Sequence, residues 1–229
     1  MEKKARTIFI WDIHGCYDEF KLIVEKLELQ ENDTVYCVWD LINRGNKSYK
    51  VLKYFYKHQK QFKTIVWNHE INFLRWLDGK KYKQDKKFKK LKEKIEEHDA
   101  YHLIDYIKSL PRYIETDDFL LIHGWLIPWK KLEEYDIDEI VRTRIIDGKH
   151  WSEHYTWEKK VIYWHYAQNW LQIKNNTIWL DTGCVYWKWL TAYTLETWEI
   201  ISQTSLDAYI DLYSKKWKSK NSDNTLIVK

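Results

Sequence analysis

Five short stretches of this chain put metal-binding and phosphate-binding groups directly after apolar runs. Asp12 and His14 follow "TIFI", two residues apart. Asp40 follows "TVYCV", with Arg44 four residues on. Asn68, His69 and Glu70 follow "FKTIV". His123 and His165 each come after a later apolar run. Carboxylate, imidazole and amide oxygen are groups that Zn, Mn or Fe accept in mixed nitrogen–oxygen sites. Two metals sharing a carboxylate need about this many ligands, and such a pair clamps an in-line displacement at phosphorus. Each piece alone has a plainer reading. An Asp-x-His can be a capped turn, Asn68 can be the N-cap of the helix that follows it, and a single histidine after a strand is usually structural. The order and spacing of all five together carry the metal reading.

Elements must bring these groups together. "ARTIFI", "DTVYCVW" and "FKTIVW" read as buried strands. "YDEFKLIVEKLEL" has apolar residues at helical spacing (Phe20, Ile23, Val24, Leu27), and "SYKVLKYFYKHQK" reads as a helix with Ser48 as a candidate N-cap. Three strand–helix units with polar residues past each strand end predict an α/β sheet with parallel strands. Ligands in such sheets sit beyond the carboxyl ends of the strands. Residues 70–110 read as helical and very basic, either a solvated face or a cap that draws anionic substrate inward. After Pro111 the pattern turns to strands: two in "RYIETDDFLLIHGW", then "KKVIYWH", "LQIKNNTIWLDTG", "LTAYTLET" and "EIISQT". "IDEIVRTRIID" between them reads as a short helix.

The bulk numbers narrow the class. The 229 residues are 45% hydrophobic and 31% charged, enough for one sizeable core. We expect a single domain over residues 1–215, with the helical insert at about 71–110 and a polar tail at 216–229. A net charge of +4, with lysine and acid interleaved, does not by itself argue for nucleic acid. A nucleic-acid binder using the lysines of residues 80–94 is the weakest of three readings. Three scattered cysteines and no long apolar run predict a reduced, cytoplasmic protein with no membrane span.

The motifs "DIHG", "D-x-I-N-R-G", "NHE", "IHG" and the late histidine resemble the calcineurin-like metallophosphoesterase superfamily. Within it the chain is similar to the bacterial phosphoprotein phosphatase and diadenosine tetraphosphatase branch, over roughly residues 6–205. The resemblance implies a four-layer α/β/β/α sandwich and two divalent metal ions, Mn first, with Fe, Zn, Ni or Co as alternatives. It implies Asp12 and His14 on the first metal, Asp40 as the bridge, and Asn68, His123 and His165 on the second. It implies Arg44 as the phosphate grip, Arg144 as a looser second clamp, and His69 as the general acid. The reaction implied is hydrolysis of a phosphate ester or anhydride by in-line attack of a metal-bridging hydroxide. The substrate would be a phosphoprotein or a dinucleoside polyphosphate; the oligomeric state is left open. Asn43 stands where the protein phosphatases carry an aspartate against that histidine. An amide orients an imidazole but supports its charged form less well, which weakens the protein phosphatase reading.

One departure runs through the whole chain. Tryptophan occurs 15 times, glycine 6 times and proline twice, where average usage gives roughly sixteen glycines and eleven prolines. Trp11, Trp39, Trp67 and Trp164 stand at the lead glycines of the family motifs. Trp125, Trp129, Trp170, Trp179, Trp187, Trp189 and Trp198 also fall where glycine is expected. The coincidence points to a systematic exchange. It predicts tryptophans at left-handed backbone positions and crowded ligand loops, hence a variant that binds metal or phosphate with impaired turnover.

Overall fold

The computed structural model describes residues 4–11, 13–38, 40–82, 85–122, 131–136, 145–146, 149–150, 155, 158–163, 172–174, 176–179, 182–207 and 209–210. It is a mixed α/β fold of two five-stranded sheets with helices. The first three units form as the pattern predicts. β1 (Thr7–Ile10), β2 (Thr34–Cys37) and β3 (Phe62–Thr64) run parallel, separated by α1 (Tyr17–Lys26) and α2 (Ser48–Lys57).

The expected basic helical stretch contains α3 (Asn68–Leu77), α4 (Asp85–Glu97) and α5 (His102–Ser109). β4 (Tyr113–Glu115) and β5 (Phe119–Ile122) pair antiparallel across the Asp117–Asp118 turn. A small hairpin joins β6 (Ile145–Ile146) to β7 (Lys149–His150). Then come β8 (Lys160–Ile162), β9 (Gln172–Lys174), β10 (Thr177–Trp179), β11 (Trp189–Thr194) and β12 (Ile200–Thr204). The first sheet has the order β12-β11-β1-β2-β3 and the second β4-β5-β8-β10-β9.

Alternation along β1 divides the core. Ile8 and Ile10 face the helices and pack with Phe20, Ile23, Val51, Leu52 and Phe55. Phe9 and Trp11 face the second sheet, where they meet Phe119, Leu121 and Ile162. This period of two is what a strand buried on both faces requires. The described residues thus give a helical layer and two sheets. The fourth layer implied by the resemblance is not found among the described residues, and the expected C-terminal tail lies outside them.

Two local readings are corrected. Ile145–Ile146, inside the stretch expected to be a short helix, is a strand paired with Lys149–His150. Its β-branched residues favour that pairing over a helix. Ser48 is not the N-cap of α2: Lys47 holds that position, and the Ser48 hydroxyl accepts a hydrogen bond from Asn43 N–H at 2.9 Å.

The tryptophans also divide. Trp187 and Trp198 lie in the left-handed region, at φ 65° and 62°, as residues in glycine positions should. Trp11 and Trp67 do not have positive φ. They are fully buried between the two sheets, so the left-handed backbone expected of glycine positions is not found at these two.

Candidate active site

The segments after β1, β2 and β3 meet at the carboxyl ends of their strands, and backbone hydrogen bonds zip the first two together. His14 N–H donates to Asp40 O at 2.9 Å, Gly15 N–H to Leu41 O at 3.0 Å, and Gly45 N–H to His14 O at 2.7 Å. Gly45 permits this approach: a Cβ there would lie 2.4 Å from His14 O. His14, Asn43 and Arg44 all take positive φ, so the two loops curl toward each other.

His14, Asp40 and His69 converge, with a ligand atom of each lying within 4.8 Å of the others. All three are buried. His14 Nδ1 lies 3.2 Å from the Ile42 carbonyl, which can only accept, so Nδ1 carries the proton and Nε2 holds a lone pair. That Nε2 is 3.7 Å from Asp40 Oδ2. A lone pair facing a carboxylate oxygen is reconciled by a cation between or beside them, so the donor set fits a divalent metal.

His69 has the opposite tautomer. Asn43 Oδ1 accepts from Arg44 N–H at 2.7 Å, which turns the amide nitrogen toward His69 Nδ1 at 2.6 Å. His69 Nδ1 is therefore the acceptor and Nε2 bears the proton. The same Nε2 is 4.0 Å from Asp40 Oδ2, and His69 N–H donates to Asp40 Oδ1 at 3.0 Å.

Electrostatics follow from burial. Burial pushes Asp40 above the usual carboxylate range, opposed by His69 and Arg44. Burial also lowers His69, opposed by Asp40 and reinforced by Arg44. The "NHE" motif alone assigns Glu70 no role. It is fully buried and braces the β2 loop, accepting from Leu41 N–H at 3.0 Å and Ile42 N–H at 3.2 Å. Burial, then Asp40, hold its pKa well above that of an ordinary glutamate.

Arg44 is half-buried. Its Nη1 donates to Tyr186 OH at 2.8 Å, and its guanidinium sits 5.6 Å from that ring. Tyr186 is not marked by the sequence as a partner of Arg44, because it comes from a one-turn helix 142 residues away. Asn68 opens α3 and is not its N-cap; Trp67 is. Asp12, His123, Arg144 and His165 lie outside the described residues. His123 directly follows β5 in sequence, and His165 comes three residues after β8.

A model of the calcineurin-like phosphoesterase family matches residues 5–198. The chain is 30% identical over 171 residues to the symmetrical bis(5'-nucleosyl)-tetraphosphatase of Buchnera aphidicola subsp. Schizaphis graminum, covering 70% of this chain and 60% of that protein. It is 30% identical over 164 residues to the protein of the same name from Wigglesworthia glossinidia brevipalpis, covering 70% and 57%. The chain thus spans less than two thirds of the length of these relatives. Among solved structures, one provisionally named a diadenosine tetraphosphatase superposes with a TM-score of 0.69 at 23% identity, over 89% of this chain and 95% of that one. A protein serine/threonine phosphatase from Saccharomyces cerevisiae gives 0.57 at 16% identity, over 88% and 79%. At these identities the structural matches speak to fold alone.

Proposed function

Since the chain belongs to the calcineurin-like phosphoesterase family, we propose that it hydrolyses phosphoanhydrides of the dinucleoside polyphosphate class. His14 and Asp40 would hold one edge of a two-metal centre, joined by Asp12, Asn68, His123 and His165. Manganese is the first candidate. Divalent ions bound there would supply Lewis-acid stabilisation of charge on phosphorus oxygens.

The chain's own residues would do the rest. Arg44 would grip a phosphoryl group through its guanidinium fork, steadied by Tyr186, and Arg144 is a second candidate grip. His69 would present Nε2–H to the leaving oxygen.

The Asn43–His69 pair supports the substrate class. Protonating His69 fully would put a proton on Nδ1, facing the Asn43 amide nitrogen at 2.6 Å. Two donors then oppose, so the imidazolium is disfavoured and His69 acts mainly as a neutral hydrogen-bond donor. A phosphate leaving group, with a second pKa of about 6, needs no more than that. A serine alkoxide needs a full proton. The relatives named as tetraphosphatases agree with the anhydride reading.

The test is a comparison of kcat/KM on diadenosine tetraphosphate and on a phosphoserine peptide with Mn-loaded protein. We expect the anhydride to be favoured by about 10²-fold, the low end of what acid catalysis contributes. Equal turnover of the peptide overturns the substrate class. Metal binding without turnover of either substrate identifies a binding variant instead.

A further inference from the structure

Beside the loop that carries Arg44, α2 and α4 flank a cleft of about 770 Å³, lined in part by that loop's Gly45, Asn46 and Lys47. Lys50, Lys53 and Lys57 line it from α2, and Lys87, Lys90 and Lys94 from α4. Both sets have the spacing i, i+3, i+7, so each forms one stripe along its helix. Lys47 adds a seventh lysine, and no aspartate or glutamate lines the cleft among the described residues. Lys47 pairs with Asp18 and Lys94 with Glu97. The other five have no carboxylate within ion-pair distance among the described residues. Like charges gathered in a concave space this way raise the local concentration of anions.

We propose that this cleft is a binding site for a short linear oligophosphate, separate from the phosphoesterase centre. The proposal does not depend on which substrate that centre cleaves. Three features choose the ligand. Each lysine stripe runs about 10 Å along its helix, the reach of several linked phosphates and longer than a single one. The volume is that of a small-molecule site, too small for a folded partner. The aromatic floor is already engaged. Lys50 lies over Tyr17 and Lys53 over Tyr49, at 5.7 and 5.8 Å from the ring centres, and Tyr49 stacks on His98 at 5.1 Å. Those rings are not free platforms for successive bases, which disfavours single-stranded nucleic acid.

The cleft is also partly built. Lys87 Nζ donates to Asn46 Oδ1 at 2.8 Å, fixing one rail against the loop that carries Arg44. Burial, and then Lys90, lower the Lys87 pKa, as crowding of cations should.

The experiment uses inorganic tripolyphosphate as the probe, with ATP, orthophosphate and a thymidine oligonucleotide beside it. Binding is read by calorimetry at low salt, and site occupancy by protection of individual lysines from acetylation, scored by mass spectrometry. We expect tripolyphosphate to protect Lys53, Lys57, Lys87 and Lys90, in the wild type and equally in Arg44→Ala. The charge-reversed variant K53E/K57E/K90E should bind about tenfold more weakly or worse while still turning over p-nitrophenyl phosphate. Tighter binding of ATP than of tripolyphosphate would identify a nucleotide as the source of the chain, and equal binding an inorganic one; either supports the site. Protection of none of these lysines in the wild type overturns it, whether or not the variant folds. Binding of the oligonucleotide in preference to tripolyphosphate overturns it as well.

Discussion

Asn43 sets how far His69 can act as an acid. Its amide oxygen is committed to Arg44 N–H, so only its nitrogen faces His69 Nδ1. Replacing Asn43 with aspartate keeps an acceptor for Arg44 N–H and places a second carboxylate oxygen against the imidazole. His69 could then carry both protons. We expect Asn43→Asp to raise turnover of an alkyl phosphate about tenfold relative to p-nitrophenyl phosphate, a fraction of what acid catalysis supplies. A leaving-group profile across phosphate monoesters measures this. An unchanged slope would sink the role given to Asn43. Residue identity made this pair legible in advance, since Asn43 and His69 stand in recognisable motifs. The tautomers were not legible. They follow from the Ile42 carbonyl and the Arg44 amide, backbone groups on which a sequence pattern is silent.

Among the elements, β1, β2 and their helices were readable because alternation and helical spacing are unbroken there. What ties them is less visible. Asp33 is almost wholly buried ahead of β2 and accepts from Arg6 N–H at 2.9 Å, Arg6 Nε–H at 3.1 Å and Gln30 N–H at 2.8 Å. Arg6 in turn donates to Leu27 O at the end of α1, at 2.9 Å. Burial alone would raise the Asp33 pKa, but the Arg6 guanidinium and the two backbone N–H groups outweigh it and hold it below the ordinary value. A carboxylate lowered in this way stabilises the fold above its unfolded pKa of about 3.9, and that stability is lost as pH falls through the folded value. Asp33→Asn should therefore cost about 1–3 kcal/mol near neutrality, with the difference shrinking below pH ~4. Urea melts at the two pH values check it; a gap independent of pH would refute the linkage. The turn bearing Tyr186 offers a second case. Trp187 closes it at φ 65° and is 66% exposed, so it has the strain of a left-handed side chain with little packing in return. A left-handed L-residue costs roughly 1–2 kcal/mol, and glycine gives part of that back through its freer unfolded chain. Trp187→Gly should stabilise by about 1 kcal/mol; a lowered melting temperature would show that the indole has packing worth more than its strain.

At the scale of the whole molecule the proposed centre is divided between two sheets. His14 and Asp40 belong to the loops after β1 and β2 and His69 to the first turn of α3 after β3, whereas His123 and His165 come after β5 and β8 in sequence. The distance between the two halves depends on how the sheets pack, which no motif encodes. Phe119 of β5 crosses the interface, with its ring 5.0 Å from Phe9 and 5.1 Å from Tyr36. Phe55 of α2 is a control of the same chemistry. It lies on the other face of the first sheet, 5.6 Å from both Phe20 and Phe62. Each Phe→Ala change should cost about 3–5 kcal/mol, the lost burial plus a cavity. Their effects on metal binding should differ. Loosening the inter-sheet core lets the second sheet settle relative to the first and spoils a geometry that tolerates only about 0.5 Å. Loosening the helix–sheet core leaves both ligand sets on their own sheet. At a temperature where both variants are folded, Phe119→Ala should bind Mn about tenfold more weakly than Phe55→Ala. Equal affinities, measured by metal titration at matched stability, would mean that the second sheet contributes no ligand.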